Sequence, residues 1–452
     1  MAVRPNVIFI IADDHRYNAI GAAGDRTVQT PVLDALAQAG TMMARTHING
    51  GVDGAVCVPS RACVNTGTHI FQATESQQIG DHARTNVIRP GAATMPSWFR
   101  SHGYHTHAIG KWHNDTASFN AGFCSGNSLF FGGMSEHCQV PVFDYNADGL
   151  YPPESRRIET KFSTELFTDS AIEFIEQYAN EDPFFLYLAY TSPHDPRTAP
   201  EPYASMYDPE QIQLPPSYMD EHPFDNGELD IRDEKLAAYP RKQEEVRRHI
   251  ADYYAMISHM DHHIGSVLQA LNASGQADNT LIVYTADHGL AVGQHGLLGK
   301  QNMYDHSIRV PWLIKGPGVP AGRHIDALVY QFDIFPTLCD LAGIGAPDDI
   351  EGKSMNALIK RKMDSGRETV YSLYKDIQRM VKNGRWKMIL YRHSAETGKG
   401  TDFVQLFDLM NDPWELHNLA SDPIYRPQLI GLKQDLTDWM EHAGDPYADL
   451  FL

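Results

Sequence analysis

A chain of 452 residues with a formal net charge of −20 is too long for one ordinary hydrophobic core and too acidic for a general nucleic-acid binder. Hydrophobic residues make up 42% of the chain and charged residues 21%, as in a soluble globular protein. No apolar run is long enough to span a membrane. We expect two domains, or one large domain with an appendage. An anionic substrate remains possible, because a few local cations can reverse the field inside a cleft.

The cysteines do not form a pattern of their own. They are odd in number and unpaired in spacing, which does not indicate a disulfide framework or a zinc site; they are Cys57, Cys63, Cys124, Cys138 and Cys339. The N-terminus enters an apolar strand almost at once, without the basic and long apolar regions of a signal peptide. We expect a cytoplasmic protein, or a periplasmic or secreted one if a leader has been removed.

The first strand, predicted over 6–11, is a continuous apolar run, which is typical of a strand buried on both faces of a parallel sheet. It ends in Asp13 and Asp14. Ligands of open α/β sheets collect at the carboxyl ends of strands, so these carboxylates suggest a cation site, although alone they fit a surface turn equally well. Thr30 as N-cap, Pro31 at the first position and Gly40 past the end then predict a short helix.

The segment Cys57-Val58-Pro59-Ser60-Arg61 precedes Thr66-Gly67. If Pro59 starts a helix, Arg61 lies one turn beyond Cys57. A cation and a helix N-terminus would then lie beside the thiol. By itself such a pentapeptide is equally consistent with a loop that buries a free cysteine.

Three further predicted strands also end in polar groups. The strand over 104–109 leads into Lys111 and His113, the strand over 184–190 leads to His194, and the strand over 280–285 leads to Asp287, His288 and, after a glycine-rich loop, Lys300. Asp13, Asp14, Asp287 and His288 all fall at strand ends, where a shared cleft is expected, and His194 would be a strand-end histidine over that cleft. His105 and His107, within the strand over 104–109, are interpreted as structural or rim residues.

The remaining pattern separates helices from irregular segments. Apolar stripes predict helices near 167–178 and over 246–271, and a final helix near 426–441. The segments 117–160 and 196–245 lack a clear period and are interpreted as excursions over the site and the surface. Alternating short segments over 378–410 predict an antiparallel sheet. We expect domains at 1–350 and 351–452.

Taken together, these elements resemble the type I, formylglycine-dependent sulfatases of the alkaline-phosphatase-like superfamily. The resemblance rests on the Cys57–Arg61 signature, Gly-Lys-Trp-His at 110–113, the Pro-His segment at 193–194, the strand-end carboxylates and a C-terminal Leu-Phe-Asp-Leu at 406–409. It implies an α/β fold: a sandwich with a large mixed, mostly parallel sheet flanked by helices, plus a smaller C-terminal antiparallel sheet with a helix. It makes 1–350 the catalytic domain and 351–452 a C-terminal subdomain.

The resemblance also implies the chemistry. A maturation enzyme would oxidise Cys57 to formylglycine, whose hydrate attacks the sulfur of a sulfate monoester. One divalent metal, Ca²⁺ before Mn²⁺ or Mg²⁺, would be held by an oxygen-rich set; its members are Asp13, Asp14, Asp287, His288 and residue 57 itself. The expected enzyme is a sulfuric ester hydrolase of the EC 3.1.6 type.

Each remaining site residue receives a role by the same resemblance. Arg61 and Lys111 hold the hydrate, and Lys300 binds the sulfate. His113 is the base that collapses the sulfated intermediate, and His194 protonates the leaving oxygen, which an imidazole can do near neutral pH.

The chain departs from the family pattern at two places. Asn65 replaces an apolar residue, for which we expect a local packing adjustment. Asn114-Asp115 replaces Leu-Gly after His113. This second departure puts the substrate specificity in doubt, but not the type of reaction.

Other functions remain open at this stage. A phosphonate monoester or phosphodiester hydrolase of the same superfamily could share the scaffold. A catalytically inactive metal- or carbohydrate-binding protein with unmodified Cys57 is the alternative from another class. The expected substrate is a sulfated carbohydrate or a small aryl or alkyl sulfate. We expect no nucleic-acid or membrane partner, and a homo-oligomer is possible.

Overall fold

The computed structural model describes residues 4–54, 56–79, 83–363 and 365–451. Its strands, numbered in chain order, are β1 (Asn6–Ala12), β2 (Thr41–His47), β3 (Gly50–Gly51), β4 (Thr74–Ile79), β5 (Ala83–Ile88), β6 (His105–Lys111), β7 (Ser125–Phe130), β8 (Val140–Val142), β9 (Arg157–Glu159), β10 (Phe184–Ala189), β11 (Thr280–Ala286), β12 (Arg309–Lys315), β13 (Arg323–Tyr330), β14 (Val370–Tyr374), β15 (Gln378–Lys382), β16 (Trp386–Tyr391) and β17 (Phe403–Asp408). The α-helices are α1 (Pro31–Ala39), α2 (Cys57–Thr66), α3 (Ile70–Ala73), α4 (Met95–Ser101), α5 (Thr116–Gly122), α6 (Ser163–Gln177), α7 (Gln243–Ala273), α8 (Asp305–Ile308), α9 (Ile334–Ala342), α10 (Asn356–Ile359), α11 (Arg426–Ala443) and α12 (Ala448–Phe451).

An eight-stranded sheet in the order β13-β2-β12-β11-β1-β10-β6-β7 forms the centre of the molecule. The neighbours of β1 and β6 run parallel to them, whereas β12 is antiparallel to both β11 and β2. The expected mixed, mostly parallel sheet is therefore confirmed.

Strand β1 shows why helices cover both faces of this sheet. Val7, Phe9 and Ile11 pack into one hydrophobic cluster with α2, α4 and α9. Ile8 and Ile10 pack into a second cluster with α1, α6 and α7. Because alternate residues of a strand point to opposite faces, the unbroken apolar run requires two covering layers.

Helix α1 begins at Pro31 and ends before Gly40, with Thr30 at the N-cap position as predicted, but the Thr30 side chain does not cap the helix. Thr30 makes no side-chain cap, because its hydroxyl accepts from the Gly21 N–H and donates to Asp34. The free N–H groups of the first turn instead donate to the carboxylate of Asp261 on α7.

The structure also differs from the prediction in the bounds of helix α2 and in the content of the segment 117–160. Helix α2 begins at Cys57, two residues before Pro59. The segment 117–160 is not only an excursion, since it contains α5 and the edge strand β7 of the main sheet. Its Gly- and Ser-rich strand has no apolar run, because β7 lies at the sheet edge and is only partly buried. Within the described ranges, no helix combines the length and apolarity needed to cross a bilayer.

The second sheet has the order β17-β16-β15-β14-β3, with antiparallel pairing except between β14 and β3. Strand β3 lies just before Cys57 in sequence and pairs Gly50 with Leu373. A Cβ on Gly50 would lie 1.9 Å from the Leu373 carbonyl oxygen, and φ is +101°, so only glycine permits this close pairing. The division at residue 350 stays a prediction, and the second sheet reaches across it.

Candidate active site

The carboxyl ends of adjacent parallel strands bring the two acidic pairs together. β1 and β11 pair in register with Ala12 opposite Ala286, so Asp13 and Asp14 emerge beside Asp287. The Asp14 N–H donates to the Asp287 carboxylate at 3.2 Å. All these carboxylates are buried.

Two overlapping sets of side chains have the spacing of a metal site, with ligand atoms within 4.8 Å of one another. Both sets contain Asp13 and Cys57; the first adds Asp14 and His194, and the second adds Asp287 and His288. The expected metal ligands are therefore brought together by the structure. His194, which sequence reasoning assigned only to acid catalysis, lies among them.

Cys57 is the first residue of α2 and is only 3% exposed. Its Sγ lies 3.1 Å from His288 Nε2 and 3.3 Å from Lys300 Nζ. The His113 side chain also interacts with the thiol and helps to lower its pKa. The thiol is thus surrounded by groups that stabilise negative charge.

Three cations neutralise the carboxylates of the site. Lys111 donates to Asp13, Lys300 donates to Asp14 at 2.7 Å, and Arg61 Nε donates to Asp287 at 2.9 Å. Arg61 also donates to the Lys111 carbonyl oxygen at 2.7 Å, which ties α2 to the end of β6. Buried charges need such compensation, because an unpaired one costs several kcal/mol.

The pKa values of these groups follow from burial and their neighbours. Burial opposes ionisation of Cys57, but Lys111 and Lys300 outweigh it and lower the pKa of the thiol well below its usual value. Burial and then the charge of Asp13 raise the pKa of Asp287 to about 6. The site is therefore rich in positive potential at residue 57 and crowded with negative charge beside it.

The two candidate catalytic histidines differ in environment. Burial would lower the pKa of His194, but the carboxylate of Asp14 raises it to about 9, and the two side chains approach to 3.9 Å. Burial and then Lys111 lower the pKa of His113. His194 is therefore protonated and His113 neutral near pH 7.

Two of the site residues have unusual backbone conformations. Asp14 has φ of +65° and His113 has φ of +52°, in the left-handed region that non-glycine residues seldom occupy. Such conformations persist where the surrounding structure enforces them, commonly at functional sites.

Sequence reasoning missed residues that hold the site in place. Arg232 makes a bidentate ion pair with Asp195, whose carboxylate lies 3.4 Å from His194 Nδ1. His137 Nε2 lies 3.1 Å from the His194 carbonyl oxygen. Both Arg232 and His137 come from the segments interpreted as excursions, where no period marked them. Adjacency to His194 was the one available signal for Asp195.

A second missed group supports the end of β11. The Ser60 hydroxyl donates to the Asp287 carbonyl oxygen and lies 3.2 Å from Gln331 Oε1. Gln331 in turn donates to the Ala286 carbonyl oxygen. Ser60 belongs to the Cys57–Arg61 segment, so its presence there has a structural reason.

The departures from the family pattern have clear positions. Asn65 is buried and its amide donates to the Arg61 carbonyl oxygen at 2.9 Å. Asn114 Nδ2 lies 3.5 Å from the Val58 carbonyl oxygen, next to the start of α2, and Asp115 caps α5 by accepting from the Ser118 N–H. Asn114 thus lies near residue 57, whereas Asp115 has a local structural role.

His105 and His107 stay outside this site. Both rings lie 2.8 Å from the Ser125 hydroxyl on β7, and His107 stacks on Phe174 with centroids 4.2 Å apart. Their position on the outer part of the sheet agrees with the structural interpretation.

The residues present fit a hard divalent cation. Asp13 Oδ1 is buried without a hydrogen-bond partner, and the carboxylates of Asp13, Asp14 and Asp287 together with His288 form an oxygen-rich donor set. Ca²⁺, Mg²⁺ and Mn²⁺ prefer such ligands.

Comparisons with known proteins agree with this geometry. A family model described as Sulfatase matches residues 5–344, and one described as N-sulphoglucosamine sulphohydrolase, C-terminal, matches residues 293–442. The Ulvan-active sulfatase of Formosa agariphila is 29% identical over 463 residues, which cover 98% of this chain and 82% of that protein.

Solved structures extend the likeness to the fold. One protein, solved in complex with its substrate D-glucosamine-2-N,6-O-disulfate, has a TM-score of 0.80 at 23% identity, with 99% of each chain covered. The phosphonate monoester hydrolase of Agrobacterium radiobacter has a TM-score of 0.76 at 22% identity, with 97% of this chain and 96% of that one covered.

The mixed sheet with its strand-end site defines the alkaline-phosphatase-like fold, as expected. The chain belongs to the sulfatase family, whose model covers most of it. It is accordingly a sulfuric ester hydrolase, and the resemblance drawn from the sequence is confirmed.

Proposed function

We propose that the chain hydrolyses a sulfate monoester of a saccharide, with Cys57 oxidised to formylglycine and one divalent cation, Ca²⁺ first, in the site. The observation that carries this proposal is the position of Cys57 Sγ between His288 Nε2 at 3.1 Å and Lys300 Nζ at 3.3 Å. In the unoxidised chain this sulfur marks the place where the hydrate oxygens would lie. An unmodified thiol could attack the sulfur of the substrate, but the sulfated thiol that results has no easy route to release sulfate. A formylglycine hydrate keeps a second hydroxyl, and deprotonation of that hydroxyl lets the sulfated intermediate collapse and expel sulfate.

The candidate metal ligands are Asp13, Asp14, Asp287, His288 and residue 57, since these groups converge at one strand edge. When bound, a divalent cation would supply a Lewis acid that favours the deprotonated nucleophile and polarises a sulfate oxygen. The chain itself supplies the remaining charge stabilisation.

Lys111, Lys300 and Arg61 supply this fixed positive charge. Each is buried and oriented by an ion pair with a carboxylate of the site. Charges that are oriented before the reaction stabilise developing negative charge without reorganisation. We assign Lys300 to the sulfate group, and Arg61 and Lys111 to the orientation of residue 57.

The two histidines divide the proton transfers. His113 interacts with residue 57, and burial and then Lys111 lower its pKa, so the neutral imidazole can accept a proton from that residue. Burial would lower the pKa of His194, but the charge of Asp14 outweighs burial and raises it to about 9. His194 is therefore protonated and can donate a proton to the leaving oxygen. Asp195 accepts a hydrogen bond through its backbone carbonyl from His194 Nδ1 at 2.7 Å, which leaves Nε2 directed into the site.

A saccharide leaving group is supported by the relatives. The Ulvan-active sulfatase matches 98% of this chain. The structural neighbour with TM-score 0.80 was solved with D-glucosamine-2-N,6-O-disulfate. The cytoplasmic location, the maturation enzyme and a possible homo-oligomer stay predictions.

Peptide mass spectrometry and a substrate panel test the proposal. Protein produced with a formylglycine-generating enzyme should carry the aldehyde or its hydrate at residue 57. It should also cleave at least one sulfated monosaccharide or disaccharide faster than an aryl sulfate. Active protein with wholly unmodified Cys57 would refute the oxidised nucleophile.

A phosphonate monoester or phosphodiester hydrolase is the second candidate. The fold shared with the phosphonate monoester hydrolase at TM-score 0.76 favours it. Rates measured side by side on a sulfate ester, a phosphonate monoester and a phosphodiester decide between them. A kcat/KM higher for either phosphorus substrate would replace the sulfatase proposal.

A further inference from the structure

A second group of metal-type ligands lies outside the catalytic centre, between helices α6 and α7. Glu165 is in the first turn of α6, and His259 and His263 are one turn apart on α7. One ligand atom from each lies within 4.8 Å of the others. Residues spaced i, i+4 share one face of a helix, so both imidazoles face the same space.

The buried histidine of this group lacks the partners that its polarity requires. His259 is 1% exposed, and neither ring nitrogen has a hydrogen-bond partner; His263 Nδ1 is likewise buried without one. Buried polar groups in native proteins are almost always paired, so an unpaired imidazole needs an explanation such as an ion.

The neighbours of His259 do not supply that partner. The rings of Phe162 and Tyr203 lie 5.0 and 5.1 Å from it, centroid to centroid. Glu165 Oε1 is 3.6 Å from His259 Nε2, beyond hydrogen-bond distance. Neither the aromatic rings nor the Glu165 carboxylate therefore provides His259 with a hydrogen bond.

The protonation states suit a ligand role. Burial lowers the pKa of His259 to about 3 and that of His263 to about 4, with neighbouring histidines adding to the effect. Both imidazoles are therefore neutral at pH 7, and a neutral imidazole is the metal-binding form.

We propose that Glu165, His259 and His263 form a binding site for a divalent transition metal of the Zn²⁺ class, separate from the catalytic centre. Two ligand atoms about 2.0–2.1 Å from a tetrahedral zinc ion lie about 3.3 Å apart. The observed 3.6 Å between Glu165 and His259 needs an adjustment of only a few tenths of an ångström. Two imidazoles and one carboxylate leave a fourth position for water.

The ion would join two helices next to the wall of the catalytic site. Ser163, two residues before Glu165, lies 2.8 Å from His137 Nδ1, and the opposite nitrogen of His137 contacts the His194 carbonyl oxygen. Phe162 stacks on His137 and also contacts His259 edge-on. The ion would therefore stabilise the start of α6, which positions the loop of His194.

Zinc retention by the untagged, full-length protein tests the site. The protein is saturated with Ca²⁺, exposed to Zn²⁺, passed through a desalting column and analysed for metals. The comparison includes His263→Gln and Glu165→Gln, which change partly exposed side chains and preserve their size. His262→Gln is the matched control, because His262 is exposed on the same helix turn and is not one of the three ligands.

The expected result is one zinc per chain in the parent and in His262→Gln, with the zinc affinity of His263→Gln and Glu165→Gln weaker by about 100-fold or more. Zn²⁺ should also raise the Tm of the parent but not of these two variants. Co²⁺ in place of Zn²⁺ should give the visible absorption of a tetrahedral site. No retained zinc in the parent, or equal retention in all four proteins, would overturn the proposal, since equal retention places the zinc elsewhere.

Discussion

The two ends of helix α2 give the same side chain opposite properties. Cys57 at the first position meets Lys300, His288 and His113, and its pKa lies well below the usual value because Lys111 and Lys300 outweigh burial. Cys63, six residues later, faces the hydrophobic cluster around β1, and burial raises its pKa. Both thiols are 3% exposed, so exposure does not distinguish them.

The difference teaches that reactivity on this helix depends on neighbouring charge. The first turn lies at the carboxyl edge of the sheet, where lysines and histidines converge, and the helix N-terminus adds partial positive charge. At the later turn, Cys63 packs among the apolar side chains of the hydrophobic cluster around β1. A cysteine can therefore be chemically active at one end of α2 and inert at the other.

The largest expected effect separates the two cysteines. Cys57→Ala should reduce kcat/KM on the best saccharide sulfate by on the order of 10⁴-fold or more, because the proposed nucleophile is lost. Cys63→Ala, the matched control, should keep kcat/KM within a few-fold. Comparable losses in both variants, with both proteins folded by circular dichroism, would contradict the contrast between the ends of α2.

Removal of the metal should lower the activity that depends on Cys57 without changing the structure of α2. Chelation should lower kcat/KM by about 10³-fold, since a cation contributes several kcal/mol of transition-state stabilisation. Adding back Ca²⁺ should restore activity, with Mn²⁺ and Mg²⁺ tested beside it. Full activity in protein shown by elemental analysis to be metal-free would exclude the cation from the proposed site.

Loss of His194 should depend on the substrate. His194→Ala should lower kcat/KM by about 10²–10⁴-fold for sulfates of poor alkoxide leaving groups, because these need protonation. An activated aryl sulfate should be nearly spared. The measurement is kcat/KM against leaving-group pKa, where the variant should show the steeper dependence; equal slopes would leave Lys300 as the candidate acid.

The smallest expected effect is that of a substitution at Cys63, in the later turn of α2. Cys63→Ser places a hydroxyl in the apolar cluster and should lower the free energy of unfolding by about 1–3 kcal/mol. Urea unfolding beside Cys63→Ala isolates the polar contribution, since alanine removes the sulfur without adding a polar group. Activity per folded molecule should not change, and a large change would mean that the two ends of α2 are coupled.

Much of the fold was predictable because buried parallel strands give continuous apolar runs. The strands over 6–11, 184–190 and 280–285 were found to within one residue at each end. Edge strand β7 was missed, since partial burial gives no such run. Helix α2 was expected from Pro59, yet it begins at Cys57.

The site was predictable wherever a strand end fixes a residue. Asp13, Asp14, Asp287 and His288 follow β1 and β11, and they converge in the structure. Arg232 could not be found, because its contact with Asp195 spans 37 positions of irregular chain. The cluster of Glu165 with the α7 histidines joins two helices whose packing the sequence does not specify.

The pairing of Gly50 with Leu373 determines when, during translation, strand β3 can join its sheet. Strand β3 cannot complete its sheet until β14 has left the ribosome, more than 300 residues later. At about 5–20 residues per second this interval is on the order of 15–60 s. During it, the segment that carries Cys57 lacks its final anchor. Any enzyme that oxidises Cys57 has this period to reach a side chain that is later 3% exposed.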